Sequence, residues 1–464
     1  MPTDIEFAGL ANAAYRDVRD RTDNVPIIPS GWTRLDRTQF GLSAGPSASG
    51  FSAEVFQKGN EIVIAYQGTN SDPFINDGLA DWGTNLALGA AWGEKQLKEA
   101  SLLYLRVKVQ NPSADIAFTG HSLGGGLAGL MSVFFNRKAT VFDPAPFQLA
   151  AKWFNASQIR TFLAAQSPAY TDESLNIIAA SFGDFSALFE GREKNVIGHY
   201  LQNEFLDIGR FEFSTIGFGK SGQWPMEKVV VGESQLGRIG LHSQQLLLAS
   251  MASVSLREAS IALPSLFKLI GDPDYYARAL LENQKDFLQR LLENQFGTPV
   301  VTANGMLDRF GSDARKIAKT GLLESVAIRD GVIIGTIEFY NGAQGTDTVP
   351  FVEEVSGGIR LDMSRIAMPV TGTLLGREAL ARDLRFKFSE LLWKSVKLTE
   401  KTEWILQGGG ALTATASGTG GAVMAGWTGA DGLCGGAGAD VLIGDEGNDT
   451  LSGGRGDAAV CVRE

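Results

Sequence analysis

The octapeptide Thr119-Gly120-His121-Ser122-Leu123-Gly124-Gly125-Gly126 restricts the fold of this chain more than any other stretch. Before it, Asp115-Ile116-Ala117-Phe118 is a short apolar run of strand character. After it, Leu127-Ala128-Gly129-Leu130-Met131 reads as a helix buried by its small face. A strand that passes through a sharp glycine turn straight into a helix is the setting of a G-x-S-x-G nucleophile elbow. Gly120 and Gly124 carry no Cβ, so the backbone can hold Ser122 in a strained conformation with its Oγ exposed. A second match, Gly41-Leu42-Ser43-Ala44-Gly45, lies in a Gly/Ser/Pro-rich stretch with no strand before it and no helix after it. It reads as a surface loop. With 56 glycines in 464 residues, context alone separates the two.

That length exceeds one ordinary core, so two or three domains are expected. Hydrophobic residues at 44% and aromatics at 9% describe a globular protein. The net charge of −11 argues against a nucleic-acid partner, which would need a basic face. The charge is uneven: Gly426 to Asp457 holds six acids and one base, a net −5, and such density needs a counter-charge. Met1-Pro2-Thr3-Asp4-Ile5-Glu6 carries acids and lacks the basic and apolar regions of a secretory signal. No apolar run approaches the length of a transmembrane helix. The two cysteines, Cys434 and Cys461, fall near the C-terminus, which excludes a disulfide framework for the main body.

Along the chain, residues 4–18 read as an amphipathic helix capped by Thr3. Phe51 to Gln57 and Glu61 to Gln67 flank Lys58-Gly59-Asn60 as a β-hairpin. Glu94 to Gln110 is helical, ended by Pro112, and Ala139 to Phe142 is a further strand. Strands alternating with helices predict an α/β fold with a wound, mostly parallel sheet over residues 1–250. Residues 251–405 form a mixed α+β middle region, with helices at Leu256 to Ile270 and Tyr275 to Gln295 and a hairpin at Val326 to Glu338. It carries no catalytic constellation and reads as a packing or spacer region. From about residue 406 the chain becomes Gly/Ala/Thr-rich, and a nine-residue period starts at Gly426, Gly435, Gly444 and Gly453.

A serine hydroxyl needs a base, and the base needs an orienting acid. The chain holds three histidines. His121 precedes the nucleophile on the elbow and points away from it. His199 lies in a strand, Val196 to Leu201. His242 follows a glycine-bearing loop and begins a helix, last in chain order after nucleophile and acid, and is favoured as the base. For the acid, Glu204 stands at the first turn after the His199 strand, with Asp207 and Asp143 as alternatives. Glu204 is preferred. The oxyanion hole draws on the backbone N–H groups of Leu123, next to the nucleophile, and of Thr69, after the apolar strand Ile62 to Gln67.

Tyr66-Gln67-Gly68-Thr69, Asp81-Trp82-Gly83-Thr84-Asn85-Leu86 and Gly120-His121-Ser122-Leu123-Gly124-Gly125 resemble, in order, the motifs of the fungal-type (class three) lipase family. That family usually has Arg where Gln67 stands and Asp where Glu204 stands. The resemblance covers roughly residues 50–250 and implies an α/β-hydrolase fold that cleaves carboxylic esters of lipids. A lid follows the oxyanion loop in that family; Ser71 to Ala80 occupies its place here, and the insertion from about Ala156 to Lys194 is a second candidate cover.

The repeats Gly-Gly-x-Gly-x-Asp-x-Leu-x are similar to the repeats-in-toxin (RTX) motif. Their glycines open backbone carbonyls, Asp431, Asp440 and Asp449 add hard anionic oxygens, and Leu433, Leu442 and Leu451 fill a narrow core between stacked turns. Calcium suits that oxygen cage, with Gly435, Gly438, Gly444 and Gly447 shaping it. A short parallel β-roll is expected, one that folds at the calcium levels found outside cells. In the RTX family such a tail accompanies export through a type I machinery by a C-terminal signal; here the residues after the third repeat are few.

The leading expectation is a secreted bacterial serine ester hydrolase acting on lipid or small esters, at an oil–water or membrane interface. Triacylglycerols come first, phospholipids (acyl cleavage) and soluble or phenolic esters of the feruloyl type next. The rival from another class is a non-catalytic, calcium-dependent adhesion protein on a hydrolase fold.

Overall fold

The computed structural model describes residues 2–15, 28–43, 46–68, 94–145, 147, 153–166, 192–204, 206, 226–232, 241–264, 266–267, 288, 292, 296, 306–321, 352–365 and 398–461. The chain forms two compact units, Met1–Val230 with Leu236–Ala252 and Lys285–Val301, and Val231–Gln235 with Ser253–Gln284 and Thr302–Glu464.

The first unit is built on a seven-stranded sheet whose spatial order follows chain order. Its strands are β1 (Thr33–Arg34), β2 (Ala53–Lys58), β3 (Glu61–Tyr66), β4 (Asp115–His121), β5 (Ala139–Phe142), β6 (Val196–Leu201) and β7 (Met226–Val229). β1, β2 and β3 are antiparallel neighbours; β3 through β7 are parallel. The expected hairpin is present, with Val55 opposite Ile64 and Gly59 taking the left-handed backbone (φ 58°) that its tight turn requires. Alternate residues of the parallel strands serve opposite faces. Ile62, Ile64, Tyr66, Ile116, Phe118 and Val141 enter one core with α2 (Glu94–Gln110) and α3 (Leu123–Phe135). On the other side Thr119 hydrogen-bonds the Phe7 carbonyl of α1 (Asp4–Ala13), and α1 packs on α5 (Gln244–Ala252). With helices over both faces, the strands must be apolar throughout, as Ile62-Val63-Ile64-Ala65 is.

α2 has the expected bounds, and α4 (Trp153–Gln166) follows β5. α1 differs from expectation. It ends at Ala13 rather than residue 18, and Phe7 to Ala13 are all buried, so it has no polar face. Alanine and glycine make the burial possible: they let a helix sink between neighbours without displacing them. Its start is as expected: Thr3 Oγ1 accepts the Glu6 N–H and Glu6 Oε2 accepts the Thr3 N–H, a reciprocal cap. α3 begins at Leu123, immediately after the nucleophile candidate, and α5 begins two residues after His242 rather than at it.

The second unit contains α6 (Val254–Ala262) and α7 (Met306–Ala318). α6 starts earlier than the expected Leu256 because Ser253 caps it through the Leu256 N–H, and it stops at Ala262, short of the expected Ile270. The backbones of α6 and α7 touch at Gly311, where a Cβ would lie 2.4 Å from Leu256 N. β8 (Val352–Val355) and β9 (Gly358–Asp362) form a hairpin, and β9 pairs antiparallel with β10 (Glu403–Gln407). The strands then alternate between two sheets. β10, β12 (Ala422–Ala425), β14 (Asp440–Ile443) and β16 (Ala458–Cys461) are parallel in one; β11 (Thr413–Thr415), β13 (Gly432–Cys434) and β15 (Thr450–Ser452) are parallel in the other. Val423 pairs with Val441 and Gly432 with Thr450, an advance of two nonapeptides per coil. Leu433, Leu442, Met424, Ile405 and Leu412 are buried between the sheets and Leu451 packs on them. Strands of the middle region and of the glycine-rich tail therefore share one sheet. The hairpin expected at 326–338 and most of the helix expected at 275–295 lie outside the described residues.

Candidate active site and candidate cation sites

β4 runs into Ser122 with no break, and the chain must reverse there to begin α3. Ser122 sits at φ 58°, ψ −128°, outside the helical and extended regions open to a side-chain-bearing residue, at a cost on the order of 1–3 kcal/mol. Surrounding bonds hold it: its N–H donates to the Phe142 carbonyl at 3.0 Å, and its own carbonyl accepts the Gly126 and Ala145 N–H groups at 3.1 and 3.0 Å. Both flanking glycines are needed. A Cβ on Gly120 would lie 2.4 Å from Gly124, and one on Gly124 would lie 2.2 Å from the Tyr66 carbonyl oxygen. The alternative serine match is different: Gly41 caps a 3₁₀ turn over Arg37–Phe40 with φ 73°.

The end of β3 comes to the same point. A Cβ on Gly68 would lie 3.3 Å from Ser122 Cβ and 3.0 Å from the His121 carbonyl oxygen. The Gly68 N–H donates to Tyr15 Oη at 3.1 Å, and Tyr15 Oη lies 3.0 Å from His121 Nδ1. One phenol thus joins Gly68, just after β3, to His121 at the end of β4. Leu123 is the first residue of α3. Thr69, Asp207 and both lid candidates (71–80, and 167–191 of the insertion) lie outside the described residues.

His242 is 12% exposed, and its Nδ1 lies 2.7 Å from Oε2 of the fully buried Glu204. Glu204 follows β6 by three residues, and the same oxygen accepts the Leu206 N–H at 2.8 Å. A buried carboxylate with these two donors fixes the imidazole's orientation. The His242 ring lies 4.7 Å from that of His121, the residue before Ser122. Asp143 has a different job. At φ 40° and fully buried, it accepts the Leu201 N–H on Oδ1 and sets Oδ2 3.7 Å from His121 Nε2. His199 lies elsewhere on β6, 3.4 Å from Asp4 and 3.5 Å from Glu227, with its ring stacked on Phe142. Sequence reasoning missed Tyr15 and the approach of His121 to His242. The nearness of His121 to Asp143 had a signal, since the two stand at the ends of successive strands β4 and β5, which are parallel neighbours.

In the tail, each repeat aspartate ties its coil to the preceding one. Oδ1 of Asp431, Asp440 and Asp449 accepts the N–H of Leu412, Ala422 and Asp431, at 2.6, 2.8 and 2.9 Å. Oδ2 of each faces a glycine: a Cβ on Gly426, Gly435 or Gly444 would lie 1.8, 2.6 or 2.1 Å from it. Carbonyl oxygens of the next coil approach the same places, Gly444 O at 3.1 Å from the Gly426 position and Gly453 O at 2.7 Å from that of Gly435. Gly438 and Gly447 instead press backbone against the preceding coil at Gly421 and Gly429. Asp431 Oδ2 and Asp449 Oδ2 are buried and accept no hydrogen bond among the described residues. Burial, together with the charge of Asp449, pushes the Asp431 carboxyl above its ordinary value despite the Leu412 N–H. Unpaired buried anionic oxygens beside carbonyls are a donor set for a hard divalent cation, and the residues fit one.

The entry coil has no repeat aspartate and is held by side chains. Gln407 Nε2 donates to the carbonyls of Gly410 and Thr428 at 2.9 and 2.7 Å, and its Oε1 accepts the N–H groups of Trp427 and Thr428. Glu403 accepts the N–H groups of Ser417 and Gly418, and Lys401 donates to the Ala439 carbonyl.

Residues 6–158 match the family model of a phospholipase-like, Tle-like phospholipase domain. Over 122 residues the chain is 28% identical to an extracellular phospholipase A1 of Serratia liquefaciens, covering 25% of this chain and 36% of that protein. The chain thus spans about a third of that relative's length. A solved mutant form of MDLA from Penicillium cyclopium is similar over 43% of this chain and 70% of its own, at 14% identity and a TM-score of 0.23. No helix among the described residues is long and apolar enough to cross a membrane.

Proposed function

We propose that this chain is a serine hydrolase of lipid acyl esters. The observation that carries the reading is the forced backbone of Ser122, whose chain neighbour His121 has its ring 4.7 Å from that of His242, the imidazole bonded to the buried Glu204 carboxylate. Ser122 Oγ attacks the acyl carbonyl while His242 Nε2 takes its proton. Glu204 holds the Nδ1–H and stabilises the imidazolium that forms. The N–H groups of Leu123 and Thr69 receive the developing oxyanion, and Leu123 does so at the positive end of α3. His242 then protonates the leaving alcohol, and water admitted to the same base releases the acid. Both named matches are described as phospholipases, which moves phospholipid acyl esters ahead of triacylglycerols, the reverse of the order drawn from sequence alone. The test is labelling by a fluorophosphonate together with a rate panel on phosphatidylcholine vesicles, emulsified triolein and a p-nitrophenyl ester. Labelling lost in Ser122→Ala and turnover of at least one lipid support the reading. A native chain that takes no label sinks it and favours a non-catalytic calcium-dependent adhesion role.

Tyr15→Phe should separate positioning from folding. The variant loses the acceptor for the Gly68 N–H and the link to His121 but keeps the ring. A hydrogen bond of about 1–2 kcal/mol predicts a kcat lowered roughly 5- to 30-fold with KM little changed. Unchanged kcat would show that Tyr15 does not order the oxyanion loop.

The tail is read as an RTX-type β-roll that holds calcium through Asp431, Asp440 and Asp449 with neighbouring carbonyls. Calcium supplies there the positive charge that the buried carboxylates lack. Removing it with EGTA is expected to lower the thermal stability of the coils while Ser122 still takes the fluorophosphonate label. Asp449→Ala should mimic EGTA. A melting curve insensitive to both would exclude the cation. Such sites fill at the calcium levels outside cells, on the order of 10⁻⁴–10⁻³ M, which with the extracellular relative supports secretion as the setting.

A further inference from the structure

We propose that the catalytic pocket is also an inhibitory site for a transition-metal ion, of which zinc is the type, held by His121, Asp143 and His242. One ligand atom from each of the three lies within 4.8 Å of the other two. His121 Nε2 and Asp143 Oδ2 are 3.7 Å apart, and the two imidazole rings are tilted by 38° at 4.7 Å. Zinc bonds of about 2.0–2.2 Å set tetrahedral ligand atoms roughly 3.4 Å apart. The first pair is therefore nearly at ligand spacing, and the widest gap, at most 4.8 Å, closes by no more than about 1.4 Å, within the reach of a side-chain rotation.

Each ligand is already braced from behind. Glu204 binds His242 Nδ1, a carboxylate–histidine pair of the kind that orients imidazole ligands, and the Tyr15 phenol lies against His121 Nδ1, so Nε2 is the ligand atom of each ring. Tyr15 Oη can accept the Nδ1–H hydrogen bond, the tautomer in which Nε2 carries the lone pair that a metal would take. Asp143 is fixed by the Leu201 N–H on Oδ1, while its buried Oδ2 accepts no hydrogen bond among the described residues. Two imidazoles and one carboxylate form a three-ligand set, to which water adds the fourth ligand of a tetrahedral ion. That composition selects zinc, cobalt or copper over calcium, whereas the oxygen-only tail selects calcium. The ion occupies the lone pair on His242 Nε2 that would take the serine proton, and any proton displaced from an imidazole passes to solvent.

Binding at this site does not depend on the chain's being a hydrolase; the inhibition rests on the reading proposed above. The experiment uses the full chain with calcium in excess, so that the tail sites are filled, and Co²⁺ as the probe. One Co²⁺ per chain should give visible d–d bands of a four- or five-coordinate ion, displaced by Zn²⁺. Ser122→Ala should bind it like the native chain. His121→Gln and Asp143→Asn should each weaken Co²⁺ binding and the Zn²⁺ block of fluorophosphonate labelling by more than about tenfold. Should Asp143→Asn fail to fold, His121→Gln carries the test. Absence of the bands in the native chain, or bands of equal affinity in His121→Gln, overturns the proposal. Bands in a chain that takes no label would uphold the metal site and defeat the hydrolase reading.

Discussion

Replacing His242 with alanine is expected to lower kcat for lipid ester hydrolysis by about 10⁴-fold or more, as loss of the base does in other serine triads. The size of the effect follows from the absence of a substitute. His199 is engaged by Asp4 and Glu227 and stacked on Phe142, and His121 is braced by Tyr15 and faces Asp143. Neither can take up the place that the Glu204 carboxylate defines. Initial rates on phosphatidylcholine vesicles, with circular dichroism to show that the fold survives, measure it. His199→Ala should retain nearly all turnover. A His242→Ala variant within tenfold of the native rate would remove the assigned base.

Glu204→Gln should cost on the order of 10³–10⁴ in kcat with KM nearly unchanged, and Asp143→Asn far less. Glutamine keeps the volume and one oxygen for the Leu206 N–H, but it cannot stabilise an imidazolium and can present the wrong partner to Nδ1. The Asp143→Asn variant would keep the acceptor for the Leu201 N–H, so its loss falls on the His121 side of the pocket. Asp207→Asn should be mild. If Asp143→Asn proves more damaging than Glu204→Gln, the acid of the triad is Asp143. Pre-steady-state acylation rates would separate this from an effect on product release.

The elements around Ser122 were the most legible in the sequence because short-range chemistry dictates them. Glycines flanking Ser122, a proline after α2 and a glycine-centred hairpin turn all act within a few residues, and the structure follows them. The end of α1 was not legible, because burial of Phe7 to Ala13 on every side depends on α5 and the sheet, which no local periodicity reveals. Tyr15 was illegible for the same reason: its partners are 53 and 106 residues away. The nonapeptide spacing showed that strands would stack, but not that they alternate between two sheets. That alternation follows from an advance of two repeats per coil, which only backbone pairing displays.

The Gln407 side chain, with its amide shared between two turns, sets a floor beneath the aspartate-bearing coils. That first rung is held by side-chain bonds to backbone rather than by a repeat aspartate. If the coils wind on binding calcium as proposed, the edge held by Gln407 is the one already in register, and winding is expected to run from Gln407 outward.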